Sequence, residues 1–377
     1  MKELYVVFDS YQPSSAGTNH LLAYVKGFAE VGIKVTLFFL CPSLNKDKLV
    51  EKTENINDVY LWDRFSFLKN RFVIALLSSL RLLLRYKKDI PVYISGTAML
   101  LPLLSSRKGI KIYHERTENP EFSGRIHSRF GDFLFNRYVK SLRKIDGLFV
   151  ITPSLRDFYI EEYNLNPEKV HVVNMVVDFE RFTNIEVTKT NESIAYCGTI
   201  SQRKDGIIYL LRAFFEVEKK YPTYQLKIAG KFENKEIEKE VKETIRSLEI
   251  KNVVFVGAIP ANEMPVFLAS SSILALARPK QKERAFGFAT KIGEYLMTTR
   301  PVVMTNIGDS PYYLKDKDSV IFAEPNDSND FAQKLLWAIE HQEEAKAIGV
   351  KGREVALNCF NYKKESHKVI KVIFGIE

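Results

Sequence analysis

The chain alternates short apolar runs, rich in β-branched and aromatic residues, with longer stretches of helical period. LYVVF at 4–8, IKVTLFFL at 33–40, VYIS at 92–95, IKIYH at 110–114, GLFVIT at 147–152 and KVHVV at 169–173 form a first series. SIAYC at 193–197, QLKIAG at 225–230, NVVFVG at 252–257, ILALA at 273–277, PVVMT at 301–305 and SVIFA at 319–323 form a second. Runs this apolar mark parallel strands buried on both faces, and parallel strands need helical crossovers between them. The pattern predicts an α/β protein of two doubly wound, Rossmann-like units. The polar stretch VVDFERFTNIEVTKTNES at 176–193 reads as the linker, with a hinge near 181–190. Residues 1–180 then form an N-terminal domain and 181–350 a C-terminal one. The remainder, 351–377, carries Val369, Ile370 and Phe374 at helical spacing and is expected to pack back on the first domain.

The two units open alike. The first strand runs into YQPSSAGTN and a helix with Leu21, Leu22, Val25, Phe28 and Ala29 on one face, stopped by Gly32. The strand at 193–197 runs into GTISQRKDG and a helix with Ile207, Leu211, Phe214 and Phe215 inward. A glycine-containing loop ahead of a helix offers backbone N–H groups to phosphate oxygens. Neither loop is a G-x-G-x-x-G or Walker A sequence, so each alone is equally an ordinary strand-to-helix turn.

With 377 residues and 46% apolar composition the chain has material for two packed cores, which excludes small disulfide or metal modules and disordered chains. Its three cysteines, Cys41, Cys197 and Cys359, are far apart and fit a reducing compartment. MKELYVVFDS reads as a first strand, not a secretory leader, and the apolar run between Arg71 and Arg81 is too short to span a bilayer. A cytoplasmic protein is expected. The net charge of +9 favours an anionic partner, but it is spread over both halves, so no nucleic-acid module is expected. Residues 64–88 hold seven Lys/Arg and no acid, and 122–144 hold six against Asp132 alone. In the first cluster Phe72, Leu76, Leu80 and Leu83 recur at helical spacing, which fits either a core-facing helix or peripheral attachment to an anionic membrane leaflet.

The stretch most informative about chemistry is RAFGFATKIGEYLMTTRPVVMTNIGD at 284–309. A Gly-Phe loop leads into a helix with Ile292, Tyr295 and Leu296 inward, while Lys291 and Glu294 lie on another face of its first turn. A carboxylate there can accept ribose hydroxyls and a lysine can meet a phosphate; spacing alone equally allows a solvated i,i+3 ion pair. After β-strand IKIYH, the segment HERTENPEF groups His114, Glu115, Arg116, Glu118 and Glu121 where α/β ligands bind, or where a charged loop is merely solvated.

Taken in order, these motifs resemble the retaining GT-B glycosyltransferases of family 4. YCGTISQRKDG, LLRAFFEVEKKYPTYQLKIAG, VVFVGAIP and GFATKIGEYLMTTRPVV follow the family's nucleotide-sugar domain over 190–340, and AGTNHLLAYVKGFAEVGIKVTLFF resembles its first N-terminal loop and helix. The resemblance implies two domains facing a central cleft, a nucleoside-diphosphate sugar as donor and a glycan or lipid-linked acceptor on the N-terminal side. It implies that Glu294 holds the donor ribose and that Lys204 neutralises the diphosphate. Gly198, Gly287 and Phe288 would approach the donor by their backbone, Ile259 would border the base, and Gly17 would approach the phosphate. His114 would lie near the transferred sugar, with Glu115, Arg116 and Glu118 toward the acceptor. Phe286 stands where the family has a first glutamate and Thr199 where it often has an arginine, charges that Arg203 or Lys291 would replace.

The implied reaction is sugar transfer with retention of configuration in surface polysaccharide synthesis, catalysed by Lys204 and His114, without a cofactor. No cluster with ligand spacing calls for a metal. A sugar-nucleotide epimerase of the same architecture is the alternative enzyme, and a catalytically silent binding relative the alternative from another class.

Overall fold

The computed structural model describes residues 1–12, 15–42, 55–65, 67–87, 89–96, 105, 109–120, 128–183, 185, 191–281 and 286–376. Most of the hinge segment, Glu121, Arg125 and Arg284 therefore lie outside the described residues. The chain divides into two compact units, Met1–Val176 with Tyr362–Glu377, and Val177–Asn361.

Unit 1 is built on β1 (Glu3–Phe8), β2 (Lys34–Phe39), β3 (Ile56–Tyr60), β4 (Val92–Ser95), β5 (Ile112–Arg116), β6 (Gly147–Val150) and β7 (Val170–Val172), paired in parallel in the order β3-β2-β1-β4-β5-β6-β7. Strands β4, β5 and β6 are buried along their whole length, as parallel strands covered on both faces are, although β5 carries His114, Glu115 and Arg116. The apolar-run criterion misses β3. Its sequence INDVY carries Asn57 and Asp58, which an edge strand with a half-exposed face tolerates and a central one would not.

Unit 2 consists of β8 (Asn191–Cys197), β9 (Gln225–Ala229), β10 (Val253–Gly257), β11 (Ser271–Leu276), β12 (Val302–Thr305) and β13 (Ile321–Ala323), again all parallel, in the order β10-β9-β8-β11-β12-β13. In each sheet the order reverses beside the first strand, and the crevice at the carboxyl ends there is where doubly wound folds take ligands.

Helix α1 (Ala16–Glu30) is capped by Ser15, whose Oγ accepts from Thr18 N, and the chain leaves it through Gly32 at φ +80°. Leu21, Val25 and Phe28 are fully buried against the sheet. Helix α2 (Arg71–Arg85) has two apolar faces. Ile74, Ala75, Leu82 and Leu83 face the core, so Leu83 does not belong to an outer stripe; Val73, Leu76, Leu80 and Leu84 face solvent.

The chain crosses between the units twice. The helix Gln342–Cys359 belongs to unit 2, so the returning segment starts only at Tyr362, beyond the expected 351. The reason is Phe360, fully buried in unit 2 against Phe288 (ring centroids 5.1 Å) and Tyr313 (5.4 Å). The terminal helix Tyr362–Phe374 then packs on α1 at Gly27, where an added Cβ would fall 2.2 Å from Ser366 Oγ and 3.1 Å from the Tyr362 carbonyl oxygen. Its Glu365 accepts from Asn174 N (2.9 Å), and Tyr362 Oη donates to Glu30 (2.9 Å). Gly27→Val should overpack this crossing and lower the chemical stability of unit 1 by about 1–3 kcal/mol, read as a shift in its denaturation midpoint.

Candidate functional site

At the reversal point of unit 2, β8 ends at Cys197 and turns through Gly198 at φ +144°. A Cβ on Gly198 would lie 2.2 Å from Lys291 Nζ, so the glycine is what lets this lysine cross the loop. The chain then makes a single helical turn, Gln202–Asp205, before Gly206 (φ +67°) breaks it and starts the helix Ile207–Lys220. The loop GTISQRKDG thus holds a helical turn of its own ahead of the expected helix. An added Cβ on Gly206 would fall 1.9 Å from the Ala277 carbonyl oxygen, which draws the turn against the end of β11.

That break aims Asp205 inward. Its Oδ2 lies 2.5 Å from Lys291 Nζ and accepts from Tyr196 Oη (2.7 Å), and its Oδ1 lies 3.8 Å from Arg278 Nε. Lys291 Nζ also sits 4.7 Å from the Tyr196 ring centroid. Burial pushes the Asp205 carboxyl upward, but Lys291 and Arg278 outweigh it and hold it below the usual carboxylate range. The one buried carboxylate thus faces two cations, Lys291 and Arg278. Cys197 lies among Lys291, Glu294 and Asp205, and burial pushes its thiol up to about 12, so it stays protonated.

Lys204, the residue just before Asp205, has its backbone N–H capped by Ser201 Oγ (3.0 Å) and its carbonyl approached by Arg278 Nε (3.4 Å). Among the described residues its ammonium meets no carboxylate. Arg203, by contrast, is turned to Glu233 (3.7 Å), which itself accepts from Ser201 Oγ. Lys291 and Glu294 do not pair with each other. Each reaches a distant partner, Lys291 to Asp205 and Glu294 to Arg181 Nη1 (2.6 Å). Gly287 has open space around it, and Phe288 buries its ring against Tyr313, leaving only its backbone to the loop. Ile259 is half-exposed just past β10. The structure thus gathers Gly198, Lys204 and Lys291 about Asp205, while Arg203 turns away toward Glu233.

In unit 1, Gly17 is exposed in the first turn of α1, with its nearest side-chain atom 3.8 Å from an added Cβ. His114 is fully buried; its Nδ1 bonds the Ile94 carbonyl (3.0 Å) and its Nε2 the Tyr138 hydroxyl (3.3 Å). Burial, with Arg116 nearby, pushes its pKa down to about 3, so the ring is neutral and both nitrogens are engaged. Glu115 is also buried, held by His20 Nε2 (2.6 Å) and Ser95 Oγ (2.6 Å). Burial raises its pKa less than His20 and these hydrogen bonds lower it. Arg116 is enclosed, with its guanidinium 5.9 Å from the Tyr138 ring, and Glu118 is exposed. Strand periodicity gives no sign that three successive charged residues of β5 would all be buried.

Asp205, Arg278, Tyr196, Arg181 and His20 escaped the sequence reading. Arg278 had a usable signal, its place just beyond the carboxyl end of a strand; Asp205 was disguised as a turn residue in RKDG, and Arg181 as linker. The triplet DKD at 316–318 has structural roles: Asp316 accepts from Phe322 N (2.7 Å) and Asp318 pairs with Lys351 (2.8 Å). Among the described residues no group of three His, Cys, Asp or Glu is placed to hold a metal ion.

Comparison with known proteins agrees with this layout. The family described as "Glycosyl transferases group 1" matches residues 191–341, and "Glycosyltransferase Family 4" matches 17–181. Trehalose synthase from Pyrococcus horikoshii is 19% identical over 67% of this chain and 59% of its own length, so the chain spans about three-fifths of that relative. Two solved structures share the fold, each at 14% identity and TM-score 0.78: sucrose-phosphate synthase from Thermosynechococcus elongatus, covering 99% of this chain and 98% of that one, and Anabaena HepE in complex with UDP-glucose, covering 100% of both.

Asp205→Asn should leave the buried Lys291 ammonium without its carboxylate partner and destabilise unit 2 by about 3–5 kcal/mol at neutral pH. Because the folded carboxyl is depressed, its contribution is complete above the unfolded value near ~4 and is lost as pH falls through the lower folded value. Urea midpoints measured from pH 7 downward should therefore converge for variant and parent only below pH ~4.

Proposed function

The chain belongs to the group 1, family 4 glycosyltransferases, and from that premise we propose that it moves a sugar from a nucleoside-diphosphate sugar to a glycan or lipid-linked acceptor in surface polysaccharide synthesis, with retention of configuration. The observation that carries the reading is the Lys204 ammonium, which meets no carboxylate among the described residues, beside the Lys291 and Arg278 cations gathered on Asp205 at the reversal point of the unit 2 sheet. Breaking the anomeric C–O bond leaves an oxocarbenium-like sugar and puts the bonding electron pair on the diphosphate oxygen. Positive charge already fixed there stabilises that developing negative charge without reorganisation. Lys204 supplies the direct contact. Lys291 and Arg278 act from behind it, their own charges halved by Asp205, while the Gly198 and Gly287 backbones leave room for the diphosphate. Glu294 accepts from the ribose hydroxyls and Ile259 borders the base. The fixed charge of Lys291 stands in for the arginine that Thr199 lacks. In unit 1 the enclosed His114 supports the wall through Tyr138, and the exposed Gly17 turn and Glu118 are the parts open to substrate. The solved neighbour bound to UDP-glucose supports a nucleotide sugar as donor class.

Lys204→Ala should cut turnover about 100-fold with nucleotide affinity nearly kept, and Glu294→Gln should weaken nucleoside-diphosphate binding about 10-fold. Acceptor-dependent product formation and calorimetric binding read the two effects; parental values for both variants would remove the donor site, and product without acceptor would redirect the reading to an epimerase.

The place of work follows from α2. No described helix is long and apolar enough to cross a membrane. Yet Val73, Leu76, Leu80 and Leu84 form an exposed stripe, with Leu84 83% exposed, and Phe67 extends it. Arg64, Lys69, Arg85 and Lys87 are exposed around it. The Phe72 side chain lies outside the described residues. The helix Arg129–Leu142 repeats the theme with Phe133, Arg129, Arg137 and Lys140. Apolar side chains ringed by basic ones suit an anionic cytoplasmic leaflet, each basic residue near the surface contributing about 1 kcal/mol. Co-sedimentation with anionic vesicles should weaken as salt rises and be lost in Leu80→Glu/Leu84→Glu, whereas equal failure to bind anionic and neutral vesicles would confine the enzyme to solution.

A further inference from the structure

Arg181 stands on the short turn Phe179–Phe182, which Asp178 caps by accepting from Glu180 N (3.1 Å) and which the buried Phe182 anchors. Its guanidinium divides between two partners. Nη1 donates to Glu294 Oε1 at 2.6 Å, and Nη2 donates to the carbonyl oxygen of Ala261, two residues beyond Ile259. Both side chains of the ion pair are largely buried, 22% exposed for Arg181 and 17% for Glu294, so neither is a loosely held surface group. Among the described residues Glu294 Oε2 has no partner.

One planar group therefore fixes both the carboxylate assigned to the ribose and the loop assigned to the base. A guanidinium suits this because its N–H groups are set in a rigid fork, whereas an ammonium would hold one partner at a time. We infer that Arg181 is the positioning residue of the donor nucleoside: it occupies Oε1 of Glu294, reserving Oε2 for the ribose hydroxyls, and ties the base loop at Ala261 to the same point. The inference rests on the donor-site reading of unit 2 and adds to it a residue that sets ribose selectivity without touching the reacting atoms. Nothing in this arrangement contacts the diphosphate, so the chemical step is not where its loss is felt.

The test is calorimetric binding of UDP, GDP and ADP, and of the 2′-deoxy form of whichever binds most tightly, to the parent, Arg181→Ala, Arg181→Lys and Glu294→Gln. The parent is expected to prefer the ribonucleotide about 10-fold or more. Arg181→Ala should lose most of that preference, with KM for the donor raised about 10-fold and kcat changed less than 3-fold. Arg181→Lys should restore part of it, and Arg181→Ala should add little in the Glu294→Gln background. A purely structural arginine would lower stability and leave the ribose preference in place. If the parent binds no nucleoside diphosphate, the donor reading and this inference fall together. If it binds with ribose preference and Arg181→Ala keeps both affinity and preference, the inference alone is overturned. Should Arg181→Ala not fold, the Lys variant answers the same question: parental KM and preference in it, with one contact of the fork lost, would overturn the inference.

Discussion

The buried carboxylate of Asp205 is the constraint on which unit 2 depends. Three pieces of chain end at it: the turn after β8, the segment after β11 through Arg278, and the helix beginning at Lys291. A lone carboxylate at this depth would be costly, and so would either cation without it, so the loops are held together by the mutual need for a counter-charge. The glycines follow from this. Gly198 is small because Lys291 passes over it, and Gly206 because the turn carrying Asp205 must close against Ala277. The resulting site is stiff where the diphosphate is expected, and stiffness is what makes fixed charge effective in catalysis.

How much of this was legible from residues alone varies with the range of the interaction. Strands buried on both faces announce themselves, which is why twelve of the thirteen described strands coincide with apolar runs and only the polar edge strand β3 does not. Motif order also located Gly198 and Lys204 after β8 and Glu294 in the helix that follows the Gly287–Phe288 loop. What was hidden is pairing across long separations. Lys291 and Asp205 are 86 residues apart, and Arg181 and Glu294 are 113 apart. Periodicity carries no information about such partners, and an i,i+3 spacing between Lys291 and Glu294 suggested a contact that neither makes. The buried charges of β5 were likewise invisible, because His20 and Ser95, which satisfy Glu115, come from another helix and another strand.

The two units solve the same problem with different means. Unit 2 gathers cations about Asp205 beyond its first strand, where among the described residues the Lys204 ammonium meets no carboxylate. Unit 1 buries His114, Glu115 and Arg116 on β5, two strands from β1, with His114 and Glu115 held by Ile94, Tyr138, His20 and Ser95, and its exposed surface is set by α1 and α2. The neutral His114 and the ionised Glu115 show how neighbouring residues on one strand diverge: the first has only neutral hydrogen-bond partners, while the second has His20.

The double crossing of the chain has a consequence for synthesis. Unit 2 is continuous in sequence, but unit 1 is finished only when Tyr362–Phe374 arrives at the notch beside Gly27. At about 5–20 residues per second, the ribosome takes roughly 10–40 s to deliver the intervening segment. During that interval α1 keeps its apolar seam open while unit 2 folds ahead of its elder neighbour. The last-made helix is thus the closing step of the first-made domain, and a chain truncated near its end would carry a complete unit 2 beside an unfinished unit 1.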